Sequence, residues 1–232
     1  MAEFILASKS PRRKRLLRML LETFVVISPM VDESKEKNET PVSYVRRITR
    51  AKAESAAGEV PINSPQDLVI LAADTIVVDG IEILGKPADE EDAVRMLSQL
   101  RGRTHRVMSG LVVYQPGEEQ TISEVVTTEV TLREMSDQEI EAYVAGGDPL
   151  DKAGAYAIQN SQYNPVPAFQ GCFANVMGLP LCKLVAVLEN NDLLHPGGVP
   201  LKCQETFAYE CPVFRSYIPG RKVKVDLSTG KK

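Results

Sequence analysis

LVILAADTIVVDGIEIL, residues 68–84, is the stretch that decides the fold of this 232-residue chain. It holds two apolar runs, 68–78 and 81–84, which are rich in β-forming residues and are joined by Asp79-Gly80. An Asp-Gly pair between two such runs is the strongest short signal for a β-hairpin. The stretch therefore predicts a long buried strand that turns back into a shorter one.

The segments around this hairpin alternate between strand and helix patterns. Ser10-Pro11 and Thr40-Pro41 each place a helix-capping residue before a proline, and Ser136 with Glu139 has the spacing of a capping box. Because helices and strands are interleaved but hairpins are frequent, we predict an α/β fold with a mixed sheet. Further strands are predicted at 4–7, 24–27, 106–114 and 121–132, and helices at 12–22, 41–57, 88–100, 181–188 and from the Ser136 cap to about Gly146, with a linker at 60–67.

The composition excludes several classes of function. With 27 basic and 31 acidic residues the net charge is −4, so a polyanion such as nucleic acid is not the expected partner. No apolar stretch reaches the roughly 18 residues of a membrane span, and the N-terminus does not resemble a signal peptide. The cysteines have no CxxC spacing, which favours reduced thiols in a cytoplasmic protein over a disulfide or a zinc site; they are Cys172, Cys182, Cys203 and Cys211.

The first basic segment is a candidate phosphate site. The sequence contains neither GxxxxGK[ST] nor GxGxxG, so phosphate binding needs another arrangement. Ser8-Lys9-Ser10-Pro11-Arg12-Arg13 lies where a strand gives way to a helix, so free N–H groups and two guanidinium groups can converge on an anion. The alternative interpretation is a solvated basic turn on a surface helix.

Asp74 interrupts the apolar run with a carboxylate. Burying it is costly unless it meets a cation, a metal or several hydrogen-bond donors. Lys86 follows the hairpin and can return near Asp74, whereas Lys52, in the middle of a helix, is more often a solvated lysine. The alternative interpretation of Asp74 is a strand-end aspartate that accepts backbone hydrogen bonds.

The small residues of 151–159 indicate a close backbone approach, and His105 is assigned to a strand edge.

Taken together and in order, these segments resemble the Maf family, the septum-formation-inhibitor-like nucleotide pyrophosphatases. The resemblance extends over residues 3 to about 189, which defines a Maf-like domain at 1–189 and a C-terminal extension at 190–232. No long periodic element is predicted in that extension. The matching pieces are Ser8-x-Ser10-Pro11-Arg12-Arg13, Asp32-Glu33, Lys52-Ala53, Ala73-Asp74-Thr75, Gly85-Lys86-Pro87, Gly102-x-Thr104-His105, residues 151–156 (DKAGAY) with Gln159, and Gly178-Leu179-Pro180.

The resemblance implies a two-lobed fold with a central cleft, like that of inosine triphosphate pyrophosphatases. It also implies hydrolysis of a nucleoside triphosphate to the monophosphate and pyrophosphate with Mg²⁺ or Mn²⁺ as cofactor. Asp74 would accept the proton of the attacking water, and Glu33 and Asp74 would hold the metal. The phosphate-binding residues would be Ser8, Arg13, Lys52 and Lys86.

Within the family, one subgroup prefers dTTP and UTP and another 7-methyl-GTP. The positions associated with the first subgroup are Arg12, Thr75 and Gln159, so dTTP and UTP are the expected substrates. Three departures from the family pattern, Ala157, Asn160 and Phe173, are expected to reshape the base pocket. A nucleotide-binding regulator of cell division with little catalysis remains an alternative, as does a purely structural protein, and the sequence is compatible with a homodimer.

Overall fold

The fold is an α/β arrangement around one mixed sheet, as predicted. We describe residues 3–60, 67–167 and 169–217 of a computed structural model. Most of the predicted linker lies outside these residues. The strands are β1 (Glu3–Ala7), β2 (Val25–Ile27), β3 (Leu68–Asp79), β4 (Glu82–Leu84), β5 (Thr104–Gln115) and β6 (Gln120–Thr131). The helices are α1 (Pro11–Leu17), α2 (Pro41–Gly58), α3 (Glu90–Leu100), α4 (Asp137–Ala145), α5 (Phe173–Val176), α6 (Leu181–Asn190), α7 (Val199–Phe207) and α8 (Phe214–Tyr217).

The sheet order is β2-β1-β3-β5-β6, with β4 paired to β3. Strand β1 is parallel to β2 and β3, whereas the β3–β4, β3–β5 and β5–β6 pairs are antiparallel. The predicted hairpin is confirmed, since Asp79 pairs with Glu82 on either side of the turn. Strand β3 is buried over most of its length and lies at the centre of the sheet, so residues on it face the interior of the molecule.

The predicted caps are present, but the first helix is shorter than predicted. Ser10, Thr40 and Ser136 each accept a backbone N–H in the first turn of a helix, and the Ser136 capping box is complete. Helix α1 ends at Leu17 rather than near residue 22, because the chain tightens into i to i+3 hydrogen bonds at Met19 and Leu20.

Hydrophobic clusters lie on both sides of a cleft. Helices α1 and α6 pack with β1 and part of β3 in the larger cluster. Helices α3 and α4 pack with Val77, Val107 and Val130 in a second cluster, which forms the other lobe. Helix α2 packs mainly against β3 and β5. The cleft between the lobes opens beside the middle of β3.

Two short helices lie after residue 190, where the sequence predicts no long periodic element. Helix α7 has nine residues and α8 has four, and Val199, Cys203 and Phe214 are buried in the same cluster as Leu16 of α1. The apolar spacing of α7 spans only two turns, too short for a periodic signal in the sequence. In the described part of the chain no helix is both long and apolar enough to span a membrane.

Candidate active site

A cavity of about 620 Å³ lies in the cleft between the lobes. All nine predicted site residues line it: Ser8, Arg12, Arg13, Glu33, Lys52, Asp74, Thr75, Lys86 and Gln159. They come from the turn after β1, α1, the loop after β2, α2, β3 and the loops after β4 and α4. Residues far apart in sequence thus share one concave site, which is the geometry expected of a small-molecule pocket.

Lys52 links the two predicted acids of the cavity. Its Nζ lies 2.6 Å from Asp74 Oδ1 and 2.7 Å from Glu33 Oε1. The side chains of Lys52 and Asp74 are 12% and 11% exposed, while that of Glu33 is 56% exposed. Asp74 is therefore a buried carboxylate that is compensated by a cation, and it does not match the alternative of a strand-end aspartate held only by backbone hydrogen bonds.

Glycine at position 110 allows helix α2 to approach Asp74. Gly110 pairs with Asp74 across β3 and β5. A Cβ atom at Gly110 would lie only 2.8 Å from the Val45 carbonyl oxygen of α2, so any larger residue would push the helix away. Thr49, which also contacts this position, lies one turn before Lys52. The close approach therefore sets the distance between the Lys52 ammonium and the carboxylate.

Arg13 is held in place by three contacts on the other side of the cavity. Its Nε donates to the Gly178 carbonyl at 2.9 Å, Nη1 to Ser8 Oγ at 3.2 Å and Nη2 to Thr75 Oγ1 at 3.1 Å. Burial lowers the pKa of Arg13, and the Asp74 carboxylate opposes this shift. Because an arginine remains charged at neutral pH even so, the cavity holds a fixed and partly desolvated cation.

Gly178 is required for this arrangement. It has a φ of 109°, and a Cβ atom there would lie 3.3 Å from both Arg13 Nε and Thr75 Oγ1. A side chain at this position would thus be strained and would crowd the guanidinium group. Gly154, with a φ of 70°, similarly lets the 151–156 segment pack against Val77 of β3, which confirms the predicted close backbone approach.

Arg12 and Gln159 lie at the same side of the cavity as the 151–156 segment. Arg12 Nη1 is 3.2 Å from Asp151 Oδ2, and Asp151 also pairs with the buried Lys152. Gln159 is exposed and lines the cavity. Of the three departures from the family pattern, Ala157 is among the described residues that line the cavity, and Asn160 and Phe173 are not. Asn160 instead donates to Asp148, and Phe173 packs on α7.

Lys86 is an exposed cation on the loop after β4. Among the described residues it has no ion pair and no hydrogen bond. Its ammonium group is therefore available to a ligand without breaking an internal contact. Lys9, also exposed, lines the cavity beside the first turn of α1.

Tyr44 is a site residue that the sequence interpretation missed. It lines the cavity, and its hydroxyl donates to the Glu33 carbonyl at 2.7 Å, which fixes the loop after β2 to helix α2. Burial and the negative charges of Asp74 and Glu33 raise the pKa of Tyr44 to about 12, so the phenol stays protonated. Tyr44 lies two i to i+4 steps before Lys52, so both side chains lie on one face of helix α2. From this spacing Tyr44 could have been predicted as a site residue.

The donor set of the cavity fits Mg²⁺ or Mn²⁺ shared with a substrate. The described residues contain no cluster of three His, Cys, Asp or Glu side chains that could hold a metal by themselves. Glu33 and Asp74, however, both lie within 2.7 Å of the Lys52 Nζ and supply two hard carboxylates around one cation position. Mg²⁺ typically binds in this way, through one or two carboxylates, waters and substrate phosphates.

His105 is buried near the start of strand β5. It is the second residue of β5, and its Nε2 lies 2.7 Å from the hydroxyl of Tyr156. Burial lowers the pKa of His105 to about 4, so the ring is neutral at physiological pH. Since Tyr156 lines the cavity and His105 does not, the pair supports the site from behind.

The buried histidine should make the free energy of unfolding pH-dependent. The pKa is about 4 in the folded chain against about 6.5 when unfolded, so this contribution is complete above pH 6.5 and is lost as the pH falls toward 4. Between pH 7 and pH 5 we expect a loss of about 1 to 2 kcal/mol in urea titrations, which His105→Gln should largely remove. His195→Gln, which changes the other, exposed histidine, is the control; an unchanged pH dependence in His105→Gln would contradict the assignment.

Comparison with known proteins identifies the class to which this fold and site belong. The family model for Maf-like protein matches residues 3–191, and the chain therefore belongs to the Maf-like family. The chain is 46% identical over 186 residues to a dTTP/UTP pyrophosphatase of Clostridium beijerinckii, covering 80% of this chain and 97% of that protein. It is 43% and 44% identical over 188 residues to the dTTP/UTP pyrophosphatases of Dictyoglomus turgidum and Geotalea uraniireducens, covering 81% of this chain and 95% and 94% of those proteins.

Proposed function

We propose that this protein hydrolyses dTTP and UTP to the nucleoside monophosphate and pyrophosphate. The observation that supports this most is the buried Asp74, which shares one cavity with three cations from distant parts of the chain, Arg13, Lys52 and Lys86. An acid that can accept a proton next to cations that can neutralise phosphates is the arrangement that phosphoryl chemistry needs. The relatives described above, which are dTTP/UTP pyrophosphatases, support the same reaction.

The proposed reaction is attack by water on the α-phosphorus. The oxygen of the water bonds to the α-phosphorus while Asp74 accepts a proton from the water. The bond between the α-phosphorus and the oxygen that bridges the α- and β-phosphates breaks, and pyrophosphate leaves. One carboxylate oxygen of Asp74 is paired with Lys52, and the other makes no hydrogen bond with any described residue, which leaves it available to the water. The free oxygen is the atom that would accept the proton.

The cations of the cavity hold the triphosphate. Arg13 presents its guanidinium group from a fixed position, and Ser8 supports it through the Nη1 contact. Lys86 has no internal partner among the described residues and reaches the phosphates from the opposite loop. Lys52 contacts two carboxylates, so its approach to a phosphate depends on how these acids are shared with the metal.

A divalent cation is part of the proposal. Glu33 and Asp74 would hold Mg²⁺ or Mn²⁺ together with the substrate phosphates. Bound there, the ion would neutralise phosphate charge and increase the acidity of the water. The chain's own contribution is to keep the two carboxylates close together, through Tyr44 on the Glu33 backbone and Lys52 between the acids.

The base is proposed to lie near Arg12, Thr75 and Gln159. Thr75 accepts a hydrogen bond from Arg13, and its hydroxyl oxygen lies 2.9 Å from the hydroxyl oxygen of Ser109. Gln159 can offer both a donor and an acceptor to a pyrimidine edge.

All four cysteines are free thiols, which is consistent with the proposed cytoplasmic location of the reaction.

A nucleotide panel tests the base preference. The purified protein is incubated with dTTP, UTP, CTP, GTP, ATP and 7-methyl-GTP in the presence of Mg²⁺, and pyrophosphate is measured. We expect the highest kcat/KM for dTTP and UTP. A clear preference for 7-methyl-GTP would overturn the base assignment, and no pyrophosphate from any nucleotide would favour a binding regulator instead.

Glu33→Gln should raise the Mg²⁺ concentration needed for half-maximal activity more than it lowers kcat at saturating Mg²⁺. The amide keeps the size of the side chain but removes one of the two charges next to Lys52, so roughly tenfold more Mg²⁺ should be needed for half-maximal activity. The measurement is a Mg²⁺ titration at saturating dTTP. Glu36→Gln, a change in the same loop at a residue outside the cavity, is the matched control. Equal Mg²⁺ requirements in both variants would exclude Glu33 as a metal ligand.

A further inference from the structure

The C-terminal segment contacts the part of the family domain that positions Arg13. The family match ends at residue 191, so α7 and α8 lie beyond it. We propose that Tyr209, which follows α7, is a positioning residue for the nucleotide site. This inference concerns the same cavity and rests on the proposed function.

The described C-terminal segment, residues 199–217 and here called the tail, is built into the hydrophobic core rather than attached to the surface. Val199 and Phe214 are 1% and 7% exposed and belong to the same cluster as Met177 and Leu179. Met177 also lines the nucleotide cavity. The tail therefore packs against the back of the wall that forms one side of the site.

Tyr209 fixes the loop before α5 through its hydroxyl group. The oxygen accepts the Gly171 N–H at 3.0 Å and lies 3.1 Å from the Gly171 carbonyl and 3.3 Å from the Phe169 carbonyl, to one of which it donates. Burial raises the pKa of Tyr209, so the hydroxyl keeps its proton and can serve as donor and acceptor together. One side chain thus binds the backbone of a loop 38 to 40 residues away.

Aromatic packing continues this contact onto α5 and α1. The ring of Phe173, the first residue of α5, stacks on Phe207 at 4.8 Å between centroids and lies 5.9 Å from Tyr209. The Arg15 guanidinium lies 5.8 Å from the centre of the Phe207 ring. The tail therefore contacts both α5 and the helix that bears Arg12 and Arg13.

Helix α5 is connected to the site by hydrogen bonds. Ser109 Oγ donates to the Asn175 carbonyl at 3.0 Å and lies 2.9 Å from Thr75 Oγ1, which accepts from Arg13. Two residues after α5, the Gly178 carbonyl accepts from Arg13 Nε. A shift of α5 would thus move two of the three groups that hold the Arg13 guanidinium.

A shift of Arg13 would lower the reaction rate, because phosphoryl transfer requires precise positioning of the groups that bind the substrate. A displacement of about 1 Å at a substrate-binding cation can lower the rate of reaction by as much as a hundredfold, even when the change originates away from the reacting atoms. Removing the Tyr209 hydroxyl takes the acceptor from the Gly171 N–H and one donor from the carbonyls of the loop, so the loop before α5 is held less firmly.

The test compares Tyr209→Phe with Tyr217→Phe in the full chain. Both changes remove one hydroxyl from a tail tyrosine; Tyr217 contacts Lys183 through its ring and makes no hydrogen bond with the described residues. Binding of α,β-imido-dTTP, which has an NH group in place of the oxygen that bridges the α- and β-phosphates, is measured by calorimetry. The kcat and KM for dTTP are measured well below both melting temperatures.

We expect Tyr209→Phe to weaken analogue binding and raise KM by about fivefold or more, while Tyr217→Phe stays within about twofold of the wild type. Equal effects of the two changes, or a Tyr209→Phe value within twofold of the wild type, would overturn the positioning role. A wild-type protein that binds the analogue but releases no pyrophosphate from any nucleotide would refute the proposed function while leaving the binding comparison valid. A wild-type protein that does not bind the analogue would refute both.

Discussion

Asp74→Asn is expected to lower kcat for dTTP by roughly a thousandfold or more. The amide has nearly the shape of the carboxylate but cannot accept the proton of the attacking water. The effect should lie in kcat rather than in KM, because Arg13 and Lys86, which are proposed to hold the triphosphate, are left in place by this change. Steady-state measurement of pyrophosphate release gives both constants.

The variant should remain folded. Lys52 loses its partner at 2.6 Å but keeps Glu33 at 2.7 Å, so its charge is not left unpaired. A melting temperature within about 5 °C of the wild type is expected, because 1 kcal/mol shifts the melting temperature of a chain of this size by about 2 to 4 °C. Asp137→Asn, which removes a surface carboxylate paired with Arg101, should keep full activity. Comparable turnover in Asp74→Asn and Asp137→Asn would exclude Asp74 as the base.

Arg13→Lys is expected to lower kcat/KM for dTTP by roughly a hundredfold, although the charge is kept. The guanidinium group contacts Ser8, Thr75 and Gly178 through three different nitrogens, and a single ammonium cannot reproduce that geometry. Both substrate affinity and turnover should fall, since the phosphate charge changes position during the reaction. Measurement of kcat and KM with saturating Mg²⁺ separates the two.

Arg18→Lys provides the matched control for this change. Arg18 is the exposed C-cap residue of the same helix and is not among the cavity residues, so its replacement should leave kcat/KM within about twofold of the wild type. An Arg13→Lys enzyme as active as Arg18→Lys would show that a diffuse positive charge suffices and that the fixed guanidinium is unnecessary.

Much of the fold was predictable because its signals are local. The Asp79-Gly80 turn, the Ser10 and Thr40 caps and the Ser136 capping box each specify a structure within four residues, and each is present. The buried aspartate was equally visible, because a carboxylate in an apolar strand requires compensation wherever the strand lies.

The partners within the site were not predictable from the residues alone. Lys52 resembles an ordinary helix lysine, and its contacts with Glu33 and Asp74 depend on Gly110, which lies 58 residues further along the chain and permits the close approach of α2. The helices of the tail were not predicted for a related reason. Its helices are short, and their apolar residues have meaning only once Leu16 and Leu188 are present to pack against them.

The most direct test of the account is the identity of the products from dTTP. The purified protein is incubated with dTTP and Mg²⁺, and the phosphorus-containing products are followed by ³¹P NMR. Cleavage between the α- and β-phosphates predicts dTMP and pyrophosphate in equal amounts, with no dTDP at any time. Accumulation of dTDP and inorganic phosphate would contradict the proposed reaction, as would unchanged dTTP under conditions in which the protein is folded.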